Sequence, residues 1–236
     1  MTKTTKLTAI EFLKRLKAKA SSSERKKYER YFPDSYKEFI GVRMGMVFAL
    51  AKDFIDMPVA EIDKLLESKV HEARAGAMSI MGKSASGKKV TPERLKELYD
   101  LYIRRHDRIN TWDLVDLAAY HVVGRYLEDK PRKILYRLAK SKEWAERRTA
   151  IVATAHFIRS GEVEETYKIA ELLFKDPEDL VHKGAGWMLR YAGDVDRKRL
   201  LAWLDKHAAK MPRVMLRYTI EKLDKKQRER YLSMGK

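Results

Sequence analysis

Apolar residues recur along most of the chain at intervals of three and four positions, which is the period of an amphipathic α-helix. Ile134, Leu135 and Leu138 are one instance. Strand signals are absent: glycine and proline are few, and no Asn-Gly or Asp-Gly hairpin dipeptide occurs. The pattern predicts an all-α protein with helices at 7–20, 24–31, 36–55, 58–82, 92–105, 112–127, 131–140, 144–159, 163–174, 178–192, 196–208 and 212–222, and a short helix after 224.

Five prolines each precede a run of helical period and lie 34 to 46 residues apart. They are Pro58, Pro92, Pro131, Pro177 and Pro212. Proline is favoured at the first position of a helix, where its missing N–H has no intrahelical partner. A second helical run lies between most of them, as stacked helix pairs of the HEAT or armadillo kind require. We therefore predict a single domain over residues 1–236, a HEAT-like solenoid (an α-α superhelix).

The chain is strongly basic yet has the composition of a folded protein. It carries 51 Lys and Arg against 34 Asp and Glu, a net charge of +17, while 44% of its residues are hydrophobic. Neutralised phosphates release counterions, so such an excess predicts nucleic acid as the partner. An acidic membrane surface is the second choice.

Several classes of chemistry are excluded by composition. The absence of cysteine rules out disulfides, iron–sulfur clusters and cysteine nucleophiles, and the six histidines show no close pair at metal-ligand spacing. No stretch approaches about 18 consecutive apolar residues, and no signal-peptide core opens the sequence. We expect a soluble, cytoplasmic, nucleoid-associated monomer without a metal ion.

Residues 112–124 (Trp-Asp-Leu-Val-Asp-Leu-Ala-Ala-Tyr-His-Val-Val-Gly) are apolar nearly all round but contain two acids. A helix of this kind is buried, and a buried carboxylate is costly unless it has a partner. Asp113 lies in the first turn, where its charge suits the helix dipole. Asp116 lies deeper and shares a helix face with Trp112. Either this pair serves a function, or Asp116 pairs with a nearby Arg in the core and Trp112 fills space.

A second candidate segment is 183–190, Lys-Gly-Ala-Gly-Trp-Met-Leu-Arg. Lys183, Trp187 and Arg190 lie along one helical stripe. Gly184 and Gly186 each cost roughly 1 kcal/mol relative to Ala inside a helix, so we expect them to permit a close approach. The alternative is ordinary helix–helix contact with Trp187 in the core.

Corresponding helices of a HEAT-type array line one concave surface. Trp112 with Asp116, Arg148 and Trp187 are about one repeat apart, so we expect them to converge on a basic concave face. A carboxylate repels phosphate, but with indoles it suits a cationic target such as an N3- or N7-alkylated purine.

Residues 82–89, Gly-Lys-Ser-Ala-Ser-Gly-Lys-Lys, have the spacing of a phosphate-binding P-loop. We reject that interpretation, because Lys89 replaces the magnesium-binding Ser or Thr and a helix precedes the segment. We predict a basic loop that either touches a DNA backbone or is a solvated linker.

The chain resembles the AlkD-type alkylpurine DNA glycosylases, a DNA alkylation repair family of HEAT-like repeats. The resemblance is clearest in residues 112–116, 148–151 and 183–190, which follow the family's order and spacing. Weaker support comes from residues 39–43 and 72–81.

The resemblance implies that Asp116 is the catalytic carboxylate and that Trp112 and Trp187 line the cleft against the lesion deoxyribose. It also implies excision without base flipping and no cofactor, since water is the only second substrate. It implies contacts with the DNA backbone from Arg43, Arg148, Lys183 and Arg190.

Two functions from different classes are therefore compared. The first is a monofunctional glycosylase of base excision repair, which removes alkylated purines such as 3-methyladenine and 7-methylguanine from double-stranded DNA and leaves an abasic site. The alternative is a non-enzymatic module that binds DNA or RNA through the same basic concave face.

Overall fold

The structure is a computed structural model that describes residues 6–32 and 36–234. Helices account for the regular structure of these residues, and no strand occurs among them. The all-α prediction is therefore confirmed. The α-helices are α1 Ala9–Lys17, α2 Ser22–Tyr28, α3 Met44–Lys52, α4 Val59–Leu66, α5 His71–Ser86, α6 Pro92–Arg104, α7 Trp112–Ala118, α8 Lys133–Leu138, α9 Trp144–Val152, α10 Ala155–Arg159, α11 Glu164–Leu172, α12 Asp179–Val195, α13 Arg197–His207, α14 Arg213–Thr219 and α15 Lys225–Ser233. Short 3-10 turns occupy Tyr36–Glu38 and Ala208–Lys210, and a π-helix occupies Ala119–Gly124.

The chain divides into two compact units, Met1–Val122 and Val123–Lys236, here called unit 1 and unit 2. Each unit is built around one long helix. In unit 1, α5 packs against α3, α4 and α7, and in unit 2, α12 packs against α9, α13 and α14. This packing of helix on helix is in line with a helical-repeat architecture.

Helix α5 is central to unit 1 because its side chains are small. Most of its residues are buried, many of them alanine or glycine. The ring of Phe12, from α1, lies against the backbone at Gly76. The Leu117 carbonyl oxygen, from α7, lies so close to Gly82 that a Cβ there would be only 2.5 Å away. Small residues thus allow neighbouring helices to approach the α5 backbone directly.

In unit 2, α12 makes a similar close contact with α14. A Cβ at Gly186 would lie 2.5 Å from the Met215 carbonyl oxygen and 2.5 Å from the Tyr218 Cβ. The fully buried side chains of Met188 and Leu189 complete this side of the core. Gly186 therefore serves helix–helix contact, as the alternative interpretation of this glycine stated.

Five of the described α-helices begin with a side-chain cap, and α7 and the others do not. Pro92 is the first residue of α6, and the Thr91 hydroxyl accepts a hydrogen bond from the Arg94 N–H. Before α12, the Asp176 carboxylate accepts from the Glu178 N–H at 2.9 Å. At the starts of α1, α2, α13 and α15 a side-chain oxygen likewise accepts a hydrogen bond from a backbone N–H; the accepting residues are Thr8, Ser21, Asp196 and Asp224.

Four predicted helices are wrong in extent. The run 58–82 is two helices, α4 and α5, and α5 continues to Ser86, so most of the predicted basic loop at 82–89 is helical. Within 36–55 the α-helix is only α3, preceded by a 3-10 turn; 112–127 is α7 followed by the π-helix; and 144–159 is divided into α9 and α10. The remaining helices agree with prediction to within a few residues. No described helix is long and apolar enough to cross a membrane.

Candidate active site

Helix α7 carries the predicted carboxylate and its indole. It begins at Trp112, after Thr111 in an extended conformation. Leu114, Val115 and Ala118 are fully buried in unit 1, whereas Trp112, Asp116 and Leu117 are half-buried. Four positions apart on a helix, the two side chains share one face. The expectation of burial all round is thus wrong in part, since this face retains contact with solvent.

The Trp112 indole is oriented by an aromatic neighbour. Its ring stacks on Phe32, with centroids 5.8 Å apart and planes inclined by 2°. Phe32 in turn packs on Phe39 at 4.9 Å. One indole face is therefore occupied, which leaves at most the other face for a ligand.

Leu117, the residue after Asp116, makes the contact that places this turn of α7 against α5. Since the Leu117 carbonyl oxygen lies against Gly82, α7 rests directly on the α5 backbone at this point. The helix then widens into the π-helix, a form that often occurs at functional sites. Gly82 therefore determines how closely the Asp116 turn approaches α5.

Asp113, the other acid of this segment, is a structural residue. Its carboxylate contacts Nε2 of the buried His71 at 2.7 Å and accepts a hydrogen bond from the Thr111 hydroxyl at 2.7 Å. Burial by itself raises the pKa of Asp113, but the hydrogen bonds from His71 and Thr111 outweigh burial and hold that pKa below its ordinary value. Asp113 does lie in the first turn of α7, as predicted, but its main partner comes from α5.

His71 links α7 to the ion pair between Arg74 and Glu38. Its ring stacks on Phe39 with centroids 4.3 Å apart. Arg74, one turn later on α5, donates to His71 Nδ1 at 3.4 Å and to the Glu38 carboxylate at 2.6 Å. The start of α5 thus connects the start of α7 with the segment that precedes α3.

Glu72 is fully buried and binds backbone amides. Its carboxylate accepts hydrogen bonds from the N–H groups of Ile40 at 3.1 Å, Gly41 at 2.8 Å and Val42 at 3.0 Å. Gly41 has φ +85°, a conformation that favours glycine. The carboxylate therefore fixes the segment that leads into Arg43.

Arg43, a predicted DNA contact, lies in that segment with an exposed side chain. It donates to the Glu24 carboxylate at 2.8 Å. This hydrogen bond, together with a second from Lys27, lowers the pKa of Glu24 to about 2. A phosphate would have to compete with Glu24 for this guanidinium.

In unit 2, the predicted stripe on α12 is present. Trp187 is 36% exposed, and Lys183 and Arg190 are half-buried. Trp187 is therefore not a core residue, contrary to the alternative interpretation. Arg190 pairs with Glu221. The Lys183 ammonium group has no hydrogen bond or ion pair with any residue that the structure describes.

Arg148 lies beneath this stripe, 5% exposed. Its guanidinium donates to the Leu180 carbonyl oxygen at the start of α12. A Cβ at Gly184 would lie 3.1 Å from the Arg148 Nη1. Gly184 thus makes room for the guanidinium. The group that approaches this glycine closely, as predicted, is an arginine of the protein itself.

The preceding residue, Arg147, anchors the same helix. It binds Asp176 through two hydrogen bonds, 2.6 Å from Nε and 3.0 Å from Nη2. The Asp176 hydrogen bonds raise the pKa of Arg147 despite its burial. The two arginines fasten α9 to the residues around the start of α12.

The roles of Glu72, of the His71–Asp113 pair and of Arg147 were not predicted. Their partners lie about 30 to 40 positions away in sequence. For Glu72, the sequence offers one sign of a buried role: it is an acid among the small residues of a helix. Across the described ranges, no group of His, Asp and Glu is arranged to hold a metal ion.

The fold and these side chains define an all-helical, highly basic protein that carries a half-buried carboxylate beside an indole. The chain matches the family described as DNA alkylation repair enzyme over residues 12–223. The protein therefore belongs to the DNA alkylation repair enzyme family, which confirms the resemblance at the level of the family. None of the curated proteins matches the chain.

Proposed function

We propose that the protein is a monofunctional DNA glycosylase that hydrolyses the N-glycosidic bond of cationic N3- and N7-alkylated purines in duplex DNA. The observation that carries the proposal is Asp116, a half-buried carboxylate on the same helix face as Trp112, in a member of a DNA alkylation repair family with a net charge of +17. A carboxylate is an unfavourable group at a surface meant only to hold phosphates. It is favourable where positive charge develops.

The reaction develops such a charge. Breakage of the bond between C1′ and the base nitrogen returns an electron pair to the cationic purine, which leaves neutral. The deoxyribose becomes an oxocarbenium ion, which the Asp116 carboxylate stabilises electrostatically. Water then adds to C1′ and loses a proton, for which Asp116 is the proposed acceptor. The products are the free base and an abasic site.

The two indoles have the proposed role of lining the site. Trp112 offers the face that Phe32 leaves open, and Trp187, in unit 2, is 36% exposed. An aromatic face attracts a cation by roughly 0.5–2 kcal/mol. The assignment of Trp187 to the reaction, and excision without base flipping, rest on the resemblance.

The proposed backbone contacts differ in how ready they are to bind phosphate. Lys183 has no partner among the described residues and requires no exchange. Arg43 and Arg190 would exchange Glu24 and Glu221 for phosphate. Arg148 is already bound to a carbonyl oxygen and is nearly buried, so its proposed contact is confined to its small exposed edge.

The experiment is base release from methylated duplex DNA, resolved by chromatography, with the parent and its Asp116→Asn variant. A matched control is Asp100→Asn, which removes an exposed carboxylate on α6. We expect 3-methyladenine or 7-methylguanine to be released by the parent and the control but not by Asp116→Asn, with DNA binding retained by all three.

Release by Asp116→Asn at the parent's rate would refute the role of the carboxylate. An absence of release by the parent, with salt-sensitive DNA binding intact, would replace the proposal with the non-enzymatic DNA-binding or RNA-binding module. In that case Asp116→Asn should bind slightly tighter, because a repelling charge is lost.

A further inference from the structure

A cavity of about 380 Å³ lies in unit 1 at the end of α5. The residues from 87 to 91 and the start of α6 form its other sides. It includes the part of the chain with P-loop-like spacing, which the proposed reaction does not use. Its lining residues are Ile55, Asp56, Lys83, Ser84, Gly87, Lys89, Val90, Thr91 and Arg94.

The lining is predominantly cationic. Lys83, Lys89 and Arg94 face a single carboxylate, Asp56. Neither lysine's ammonium group has a hydrogen bond or ion pair with any residue in the described ranges. Two uncompensated ammonium groups at one cavity favour an anion as its occupant.

Arg94 is held in place for such an occupant. Its Nη2 donates to the Met57 carbonyl oxygen at 2.6 Å, and its Nε donates to the Ser84 hydroxyl oxygen at 3.3 Å. Its Nη1 lies 3.8 Å from the exposed Glu97 carboxylate. Burial lowers the pKa of Arg94 although Glu97 and Asp56 oppose that effect, and a further anion would counteract the remaining penalty. Because Ser84 accepts from Arg94, its own hydroxyl hydrogen remains available for donation to a ligand.

The backbone N–H groups at the start of α6 contribute little to the binding of an anion in this cavity. Its Arg94 N–H is already bound by the Thr91 hydroxyl at 3.2 Å, and Pro92 has no N–H to offer. Recognition would therefore come from the side-chain cations and the Ser84 hydroxyl. Ile55 and Val90 supply apolar walls that exclude some of the competing water.

We propose that this cavity binds a phosphate group, and that its source in the working protein is a backbone phosphate of DNA. The occupant of the cavity is identified by its chemistry, a tetrahedral oxyanion that takes several donors at once. The site is separate from the Asp116 carboxylate: Lys83 directly follows Gly82 on α5, and successive helical residues point about 100° apart. The DNA source rests on the proposed function, whereas binding of the anion does not.

The test is the salt dependence of binding to unmodified duplex DNA, which requires no base excision. The variant is Lys83→Ala/Lys89→Ala. A matched control, Lys17→Ala/Lys19→Ala, removes the same charge from exposed positions at the end of α1. Loss of one phosphate contact should reduce the slope of log affinity against log salt by about 0.9. We expect this reduction in the cavity variant and not in the control.

A second arm uses inorganic phosphate as the probe. Binding is followed by NMR shifts of the Ser84 and Thr91 amides in the parent and the cavity variant. We expect these shifts to saturate in the parent and to be absent from the variant. Saturation with an unchanged DNA slope would refute DNA as the source and leave a site for a free phosphate.

An unchanged slope without phosphate-dependent shifts would overturn the proposal entirely. The excision rate at saturating DNA separates this result from failure of the proposed function. The parent's excision rate tests the Asp116 proposal, and neither arm of the cavity test requires excision. A parent that excises nothing would leave the salt slopes and NMR shifts fully informative.

Discussion

Replacement of Glu72 tests whether a buried carboxylate stabilises unit 1 through backbone amides. Glu72 has no exposed surface, and its two oxygens take the N–H groups of Ile40, Gly41 and Val42. In Glu72→Gln the oxygen that binds Gly41 and Val42 can remain an acceptor, and the other becomes an NH₂ group that faces the Ile40 N–H. In Glu72→Ala no acceptor remains.

The magnitude follows from the hydrogen bonds. A hydrogen bond to a charged group contributes about 1.5–3 kcal/mol, and a buried donor left without a partner costs about 1–3 kcal/mol. Glu72→Gln keeps the acceptor for Gly41 and Val42, so we expect a loss of about 2 kcal/mol in the free energy of unfolding. Glu72→Ala leaves three amides without an acceptor, so we expect a loss of at least about 3 kcal/mol, from about 1–3 kcal/mol for each unpaired buried donor.

The assay is urea unfolding followed by circular dichroism, supported by hydrogen exchange of the three amides. The control is Glu97→Gln on α6, whose carboxylate is exposed and which should change stability by less than about 0.5 kcal/mol. Glu72→Ala should also lose protection at the Gly41 and Val42 amides. If Glu72→Gln is as stable as the control, the desolvation cost of the carboxylate equals its hydrogen-bond gain and the reasoning fails.

The other predictions concern helix contact and pH. Gly186→Ala places a methyl group against the Met215 carbonyl oxygen and should lower the free energy of unfolding by about 1–3 kcal/mol. Gly45→Ala, with no atom within 4 Å of the new Cβ, should stabilise α3 by up to about 1 kcal/mol. Urea unfolding of both variants compares them. Because the fold lowers the pKa of Asp113, its stabilisation is fully present above the unfolded value of 3.8 and is lost as the pH falls through the lower folded pKa. Asp113→Asn should therefore be less stable than the parent at neutral pH, and thermal melts of the two should converge in acid. A constant difference down to pH 2 would contradict the role of the ionised Asp113 carboxylate.

Helical period predicted the fold class because it reports on burial within one helix. It failed at the junction of α4 and α5, since the segment Glu67-Ser68-Lys69-Val70 contains neither glycine nor proline. It failed again at Gly82, where glycine was interpreted as a helix end. The glycine is required inside α5, because the Leu117 carbonyl oxygen occupies the space of a side chain. At Gly82, tertiary contact and not local propensity explains the glycine.

The candidate site shows the same division. Spacing alone placed Trp112 and Asp116 on one face, and both are half-buried there. It also predicted the stripe of Lys183, Trp187 and Arg190. The burial of Arg148 was not predictable, because its acceptor, the Leu180 carbonyl oxygen, is 32 residues away and belongs to the backbone. Every residue has a backbone carbonyl oxygen, so the sequence gives no sign of which one Arg148 binds.

The start of α5 holds in place two segments of unit 1, the helix that carries Asp116 and the residues that lead to Arg43. His71 binds Asp113 in the first turn of α7, three residues before Asp116, while Glu72 binds the segment that leads to Arg43. Both anchors are buried, adjacent in sequence and on a helix that is itself enclosed by the core. A catalytic group stabilises a transition state most when its position is fixed before the charge develops. The buried pairs at 71 and 72 therefore serve the proposed reaction through geometry: they position α7 and the Arg43 segment relative to the same rigid helix.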